Sequence, residues 1–179
     1  MAKQTGLHLK SKNMLKGFGG SQFAKYNPKA ARPVVKNTPI HVVMRSSYAT
    51  GSRSMLHHSK KIQNVVFHRA KKIGIKIYQY ANVGNHLHFI CSLPQTSLWG
   101  AFIKSISGLI ARIVMQAERG QAKNIKFWDA RPWTRITLWG SAYTKLRKYL
   151  RINQLQAIGF ARNTAEIMVR HGLEAVRVC

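Results

Sequence analysis

Acidic residues are the scarcest class of side chain in this sequence. Only 4 of its 179 residues are Asp or Glu, against 30 Lys and Arg, and the formal net charge is +26. The carboxylates are Glu118, Asp129, Glu166 and Glu174. Two-metal nucleases and transposases hold their ions with clustered acids. This chain can hardly assemble such a cluster, so any metal ion that acts on nucleic acid must be held by neutral ligands.

Cysteine and long apolar runs are also scarce. The two cysteines, Cys91 and Cys179, lie in an apolar strand-like segment and at the chain end, so no disulfide framework is expected and a reducing cytosol fits. No run of about 20 apolar residues is present, so no membrane span is predicted. The N-terminus lacks the apolar core of a signal peptide. We therefore expect a cytoplasmic, nucleoid-associated protein that does not bind membranes.

The large positive charge predicts a polyanionic partner. Such a field concentrates polyanions around the protein, and nucleic acid is the commonest of them, with a membrane surface as the competing interpretation. Hydrophobic residues make up 45% of the chain, which is enough for a packed core. The composition therefore favours a folded, basic nucleic-acid-binding domain.

The hydrophobic pattern predicts an α+β fold. Residues 1–38 are basic, lack periodicity and are interpreted as a mobile or loosely docked arm, whereas regular patterns begin at Pro39. Interleaved strands and helices indicate a mainly antiparallel sheet with helices packed on one face and the other face open for a ligand. The predicted strands are 39–46, 75–82, 85–93 and short pieces within 127–139; the predicted helices are 58–73, 98–118, 141–154 and 163–172.

Two histidines lie one residue apart in the strand-like segment VGNHLHFICS, residues 83–92. Residues two apart on a strand point to the same face, so His86 and His88 project together, away from the core face that carries Cys91. Two adjacent imidazoles supply half of a divalent metal site, or else are half-exposed side chains satisfied by water and backbone. Cys91 is a poor third ligand because it faces the core.

A tyrosine and an asparagine share one face of a predicted helix. In KLRKYLRINQ, Tyr149 and Asn153 are four residues apart. A phenol can attack phosphorus to form a covalent phosphotyrosine, and an amide oxygen can complete a metal site without adding charge. Taken alone, the helix pattern favours Tyr149 as a packing residue at the core edge.

Both patterns together resemble the HUH single-tyrosine transposases, in particular the REP-associated tyrosine transposases and related bacterial insertion-sequence transposases. The resemblance covers residues 39–160 and rests on HVVMRSS at 41–47, VGNHLHF at 83–89 and YLRINQLQAIG at 149–159, with a looser match in FWDARPWTRI at 127–136. Residues 161–179 form a predicted C-terminal helical segment outside it.

The resemblance implies a ferredoxin-like fold and a metal-dependent transposase. In such enzymes two histidines and the polar residue after the tyrosine bind one Mg²⁺ or Mn²⁺, and the tyrosine cleaves and rejoins single-stranded DNA through a 5′-phosphotyrosine. Members recognise DNA hairpins near their cleavage sites. Carried over by position, Tyr149 is the nucleophile and His86, His88 and Asn153 are the metal ligands.

Several alternatives remain open on the sequence. A non-catalytic basic DNA-binding protein on the same fold, or a rolling-circle type nicking enzyme, shares these features. Tyr143 is a second tyrosine on the same helix, but it is not followed four residues later by Asn or Gln. His41 alternates with Ile40 and Val42 and so lies opposite the core face, either near the site or, as the favoured interpretation, facing solvent. The chain could be a monomer or a homodimer, with Tyr149 acting in its own subunit or in a partner.

Basic and aromatic side chains supply candidate DNA contacts. Aromatic rings can stack on unpaired bases and cations can hold phosphates, although at least two of the aromatics are expected to be buried structural residues. The candidate aromatics are Tyr78, Tyr80, Trp128 and Trp133. The candidate phosphate contacts are Arg131, Arg135, Lys145, Arg147, Lys148 and Arg151.

Overall fold

Four strands and four helices are present in the computed structural model, which describes residues 17–20, 31–117 and 125–173. Most of the predicted basic arm, the predicted loop at 119–124 and the last residues of the predicted C-terminal segment lie outside these residues. In chain order the elements are β1 (Ile40–Arg45), α1 (Ser59–Ile73), β2 (Lys76–Asn82), β3 (His86–Ser92), α2 (Leu98–Met115), β4 (Trp133–Ile136), α3 (Ser141–Ala157) and α4 (Arg162–His171).

The strands form one antiparallel sheet in the order β2-β3-β1-β4. The predicted hairpin is confirmed: β2 and β3 pair across a short turn in which Gly84 has a φ of +92°. A glycine suits this turn because a side chain there would be strained and would meet the Ser54 hydroxyl. The hairpin fixes β3, and with it the histidine pair, next to the central strand β1.

One face of the sheet packs against α1 and α2 to make the core. On β1 and β3 the inward residues alternate with outward ones, and Val42, Leu87 and Phe89 are fully buried. Helix α2 presents residues every fourth position, including Phe102, whose ring meets Phe89 edge to face. This α+β arrangement confirms the predicted fold class.

Helix α3 crosses the opposite face of the sheet. The sequence pattern predicted no helix on that face. Helix α3 packs against β2 and β3, and it reaches that face because the chain turns back over the sheet after β4. Its own core contribution is small, with Leu150 and Leu155 buried. Helix α4 covers the far end of α3 through Ala165 and Val169.

Asn163 and Glu166 have the sequence spacing of a capping box, but α4 begins at Arg162, no side chain caps it, and Glu166 pairs with Arg162 at 2.9 Å instead. Helix α2 is long and apolar enough, by length and composition alone, to cross a membrane. A helix packed into a protein core meets the same criteria, so this is weak evidence for a span.

Candidate active site

The sheet face under α3 carries a cluster of polar and aromatic side chains. Strand register places His88 beside Val43 of β1 and places Trp133 of β4 on the other side of Val43. His41 lies opposite Arg135 on β4. It is two residues before Val43, which is the β1 partner of His88. Diagonal neighbours of this kind are within reach of long or aromatic side chains. The predicted alternation on β3 is therefore correct, and the register adds residues from two other strands.

His88 is within hydrogen-bond distance of His41, for which the sequence favoured a solvent-facing position. His41 is only 6% exposed, and its Nε2 lies 3.1 Å from Nδ1 of His88. The interpretation of His41 as a solvent-facing residue is wrong, because α3 and β4 cover this part of β1 and because Trp133 packs against the His41 ring edge. No feature of the local sequence reveals this contact, which depends on how β1 and β3 pair.

The other ring nitrogen of His88 is buried and has no hydrogen-bond partner among the described residues. An unsatisfied buried polar atom costs on the order of 1–3 kcal/mol. Nε2 of His88 therefore either destabilises the fold or binds a group that is not part of the chain.

His86 is oriented in the same manner by its neighbour in the turn. Its Nδ1 lies 2.6 Å from Oδ1 of Asn85. An amide oxygen can only accept, so Nδ1 of His86 donates and its Nε2 keeps a lone pair. The His86 and His88 rings are 4.7 Å apart between centroids. Two imidazoles are thus fixed side by side, and each has one nitrogen without a protein partner among the described residues.

Burial keeps the three imidazoles neutral. Desolvation, with a smaller contribution from His41 and His86, lowers the pKa of His88 to about 3. Desolvation and the nearby charge of Arg135 lower the pKa of His41 to about 4. The pKa of His86 is lowered by burial and by Arg45. Neutral imidazole is the form that binds metal ions, so the cluster is in that form near neutral pH.

Tyr149 projects from α3 onto this cluster. Its ring meets the His88 ring edge to face, with 6.0 Å between centroids. Tyr149 is 45% exposed, so solvent and a ligand can reach this residue. A single chain therefore brings the predicted nucleophile next to one of the predicted ligands.

Asn153, the remaining predicted ligand, and Tyr143, the competing tyrosine, lie at other positions on α3. Asn153 follows Tyr149 by one helical turn and is half-buried, and it does not line the cavities beside Tyr149. Tyr143 packs with Tyr78 and Trp139 over β2, at 5.9 and 4.8 Å between ring centroids. Tyr143 is thus part of a separate aromatic cluster.

A cleft of about 790 Å³ opens in front of Tyr149 and His88. We call this space the catalytic cleft. Its walls come from β1, β4, α3 and the segment before β4, and an adjoining cavity of about 410 Å³ extends along α3. Among the predicted DNA contacts, Arg131 and Arg135 line the cleft and Lys145 lines the adjoining cavity. The wall of the catalytic cleft also includes Arg45, Asp129 and Trp133.

The other predicted cations line a separate depression. Arg147, Lys148 and Arg151 surround a cavity of about 380 Å³ between β2, α3 and α4, together with Gln79. The six predicted phosphate contacts are therefore divided between two sides of α3. Among the aromatic candidates, Trp133 lines the catalytic cleft, whereas Tyr80 is buried and Trp128 is half-buried against α2.

The chain has few acids near these histidines. In the part of the chain that the structure describes, no three His, Cys, Asp or Glu side chains converge as a metal site. Cys91 is buried on the core face, and burial raises its pKa to about 12. The cluster thus offers two imidazole nitrogens, and the burial of Cys91 on the core face excludes it as a further ligand.

Comparison with known proteins points to one family. The family model described as transposase, IS200-like, matches residues 34–151. A REP-associated tyrosine transposase bound to a REP hairpin is similar in structure, with a TM-score of 0.56 at 14% identity over 76% of this chain and 77% of that one. A Deinococcus radiodurans chain described as a transposase gives a TM-score of 0.45 at 14% identity, over 71% of this chain and 98% of that one. A search of curated proteins gives no match.

Proposed function

The chain belongs to the IS200-like transposase family, and we propose that it cleaves and rejoins single-stranded DNA through a 5′-phosphotyrosine on Tyr149. One observation carries this proposal: the Tyr149 ring stands perpendicular to the His88 ring, and both residues line a cleft that also contains Arg45, Arg131 and Arg135. A tyrosine placed only for packing would not need to stay exposed beside a buried histidine with an unpaired nitrogen. Transfer of labelled DNA to the protein, with Tyr149→Phe as control, tests the proposal.

The histidine pair fits the divalent metal ion that this family generally uses. The buried, unpartnered Nε2 of His88 and the corresponding nitrogen of His86 are the donors we propose for Mg²⁺ or Mn²⁺, with the Asn153 amide oxygen as the third ligand. Their partners, His41 and Asn85, have the role of the outer contacts that fix ring orientation in metal sites. When bound, the ion supplies Lewis-acid stabilisation of the charge that develops on the phosphate.

The covalent step needs no external energy source. Tyr149 Oη attacks the phosphorus, an Oη–P bond forms and the P–O3′ bond breaks. The phenol proton goes to solvent, which reaches the exposed Tyr149 side chain, and the leaving 3′ oxygen takes up a proton. Because one phosphodiester replaces another, attack by a second 3′ hydroxyl reverses the step and rejoins strands.

The positive charge supplies the DNA affinity. We propose that Arg131, Arg135 and Lys145 hold phosphates close to Tyr149, and that Arg147, Lys148 and Arg151 hold a more distant part of the DNA on the other side of α3. The structurally similar transposase is bound to a REP hairpin, and we propose a DNA hairpin for this chain too. The reaction would take place on chromosomal DNA in the cytoplasm.

We expect Tyr149 to act within its own chain. Tyr149 and His88 of one chain are already in ring contact, so no partner is needed to complete the pair. Mixing Tyr149→Phe protein with His88→Ala protein should leave covalent DNA transfer at the level of the separate inactive variants. Recovery of more than about a tenth of wild-type activity in the mixture would instead indicate exchange of α3 between two chains.

His41 should matter for metal affinity although it is not a proposed metal ligand. In His41→Ala the hydrogen bond that orients His88 is lost, and Mn²⁺ affinity without DNA should fall about 10–100-fold, as for other outer contacts of metal ligands. His41→Gln keeps an acceptor near the same place and should recover most of the affinity. Titration followed by electron paramagnetic resonance of unbound Mn²⁺ measures both. Equal affinity in wild type and His41→Ala would contradict a positioning role.

A further inference from the structure

Asp129 is an unexpected residue in the catalytic cleft. The chain carries 4 acids against 30 basic residues, and a carboxylate beside a DNA phosphate repels it. The other described carboxylate, Glu166, pairs with Arg162 on α4. Asp129, by contrast, lies in the wall of the catalytic cleft that also contains Tyr149 and His88.

One oxygen of Asp129 is fully occupied by the fold. Oδ1 accepts from the backbone N–H of Ser47 at 2.7 Å and from its hydroxyl at 2.8 Å. The Asp129 backbone N–H in turn donates to the carbonyl of Arg45 at 3.0 Å. These three bonds fix the carboxylate relative to the end of β1, so its position does not depend on a ligand.

The second oxygen keeps acceptor capacity. Oδ2 is 3.6 Å from Nε of Arg45, which is beyond hydrogen-bond distance, and the Arg45 side chain is 67% exposed. An exposed, loose ion pair of this kind contributes little. A carboxylate accepts about four hydrogen bonds, and the described residues use two at Oδ1. Oδ2 is therefore a rigidly placed acceptor on a residue that lines the cleft.

The surroundings of Asp129 suit a nucleobase better than a phosphate or a metal ion. Trp133, in the same wall, offers a ring of the kind on which unpaired bases stack. Arg131 and Arg135 also line the cleft and supply positive charge for a backbone. The volume of about 790 Å³ lies within the roughly 300–1,000 Å³ of small-ligand pockets. A nucleotide adjoining the scissile phosphate could place its base here.

We propose that the catalytic cleft binds an unpaired base next to the scissile phosphate, and that Oδ2 of Asp129 accepts a hydrogen bond from its exocyclic amino group. Adenine, cytosine and guanine carry such a group. Thymine presents its one ring N–H between two carbonyl oxygens, which a carboxylate repels. Asp129 thus selects against thymine at one position, as acidic side chains do when they read the amino group of cytosine. The inference rests on the proposed function, because it takes single-stranded DNA as the ligand.

Asp129→Asn is a sharp test because it replaces one oxygen with an NH₂ group. The remaining amide oxygen can take the place of Oδ1 at Ser47, and the NH₂ group then stands where Oδ2 was, as a donor in place of an acceptor. In a Tyr149→Phe background, which binds without cleaving, we would select from a single-stranded DNA library randomised beside a hairpin. With Asp129 we expect thymine to be depleted about tenfold at one position. With the Asp129→Asn variant thymine should be enriched at that same position.

A matched control and an independent measurement accompany the selection. Ser47→Ala removes one anchoring bond but keeps the acceptor, so the depletion of thymine should weaken without reversing. In the protein with Asp129 intact, purine replacing adenine at the selected position, and so lacking only the amino group, should weaken binding about tenfold. This measurement stands even if Asp129→Asn fails to fold.

The outcomes separate this inference from the proposed function. An unchanged preference after Asp129→Asn, no preference at any position, or equal binding of purine and adenine would each overturn the base subsite. A reversed preference in a protein that never forms a covalent adduct would uphold the subsite and contradict the transposase chemistry. A covalent adduct without a reversed base preference would uphold the transposase chemistry and overturn the base subsite.

Discussion

Replacing Tyr149 with phenylalanine should reduce covalent attachment of DNA by more than about 1,000-fold, to the background of the assay. The variant lacks only the hydroxyl oxygen that we propose becomes bonded to phosphorus. The ring that meets His88 edge to face remains, so the fold and the histidine cluster should be unchanged. The measurement is the yield of denaturation-resistant protein–DNA adduct with labelled single-stranded hairpin DNA and Mg²⁺ or Mn²⁺.

Tyr143→Phe is the matched control for this result. It removes a hydroxyl from the same helix, but from the aromatic cluster with Tyr78 and Trp139. Adduct formation should stay within about threefold of wild type. An adduct that survives Tyr149→Phe and disappears in Tyr143→Phe would move the nucleophile to Tyr143 and contradict the assignment.

His88→Ala should reduce adduct formation at least about 100-fold and should also weaken Mn²⁺ binding measured without DNA. The reason is that the buried Nε2 of His88 is a proposed metal donor, and loss of Lewis-acid stabilisation costs several kcal/mol at the phosphate. Binding of hairpin DNA itself should change little, because the proposed phosphate contacts come from arginine and lysine. Loss of adduct formation without loss of DNA binding would distinguish a defect in cleavage from a defect in DNA affinity.

His68→Ala is the control for His88→Ala. His68 is an exposed histidine on α1, which packs against the other face of the sheet. It should leave both adduct formation and Mn²⁺ binding at wild-type levels. Thermal melting shows whether His88→Ala is folded, and His86→Ala supplies a second, less buried test of the pair. Wild-type Mn²⁺ affinity in both histidine variants would contradict the metal site.

The parts of the site that the sequence predicted are those set by local geometry. The period of a strand places His86 and His88 on one face, and the period of a helix places Tyr149 and Asn153 one turn apart. Each pattern depends on only two residues, which are two positions apart on the strand and four positions apart on the helix. The end of α1 at Gly74, which has a φ of +77°, also followed from a local feature, whereas α3 runs to Ala157, three residues past its predicted end.

The parts that the sequence missed depend on how the strands pair. The contact between His41 and His88 follows from the β1–β3 register, in which His41 stands opposite Ile90. The position of Asp129 in the cleft depends on bonds to Ser47, 82 residues away in sequence. Neither the His41–His88 contact nor the Asp129–Ser47 bonds can be predicted from local periodicity. The cover that α3 gives to the histidine face likewise depends on a turn after β4, and it is why His88 is only 5% exposed.

The most direct test of the central claim is a cleavage reaction on hairpin DNA that carries one fluorophore at the 5′ end and another at the 3′ end. A 5′-phosphotyrosine on Tyr149 predicts that the 3′ label migrates with the denatured protein, while the 5′ label is released on a shorter strand with a free 3′ hydroxyl. The 5′ label on the protein, or both labels on protein-free fragments, would contradict the account.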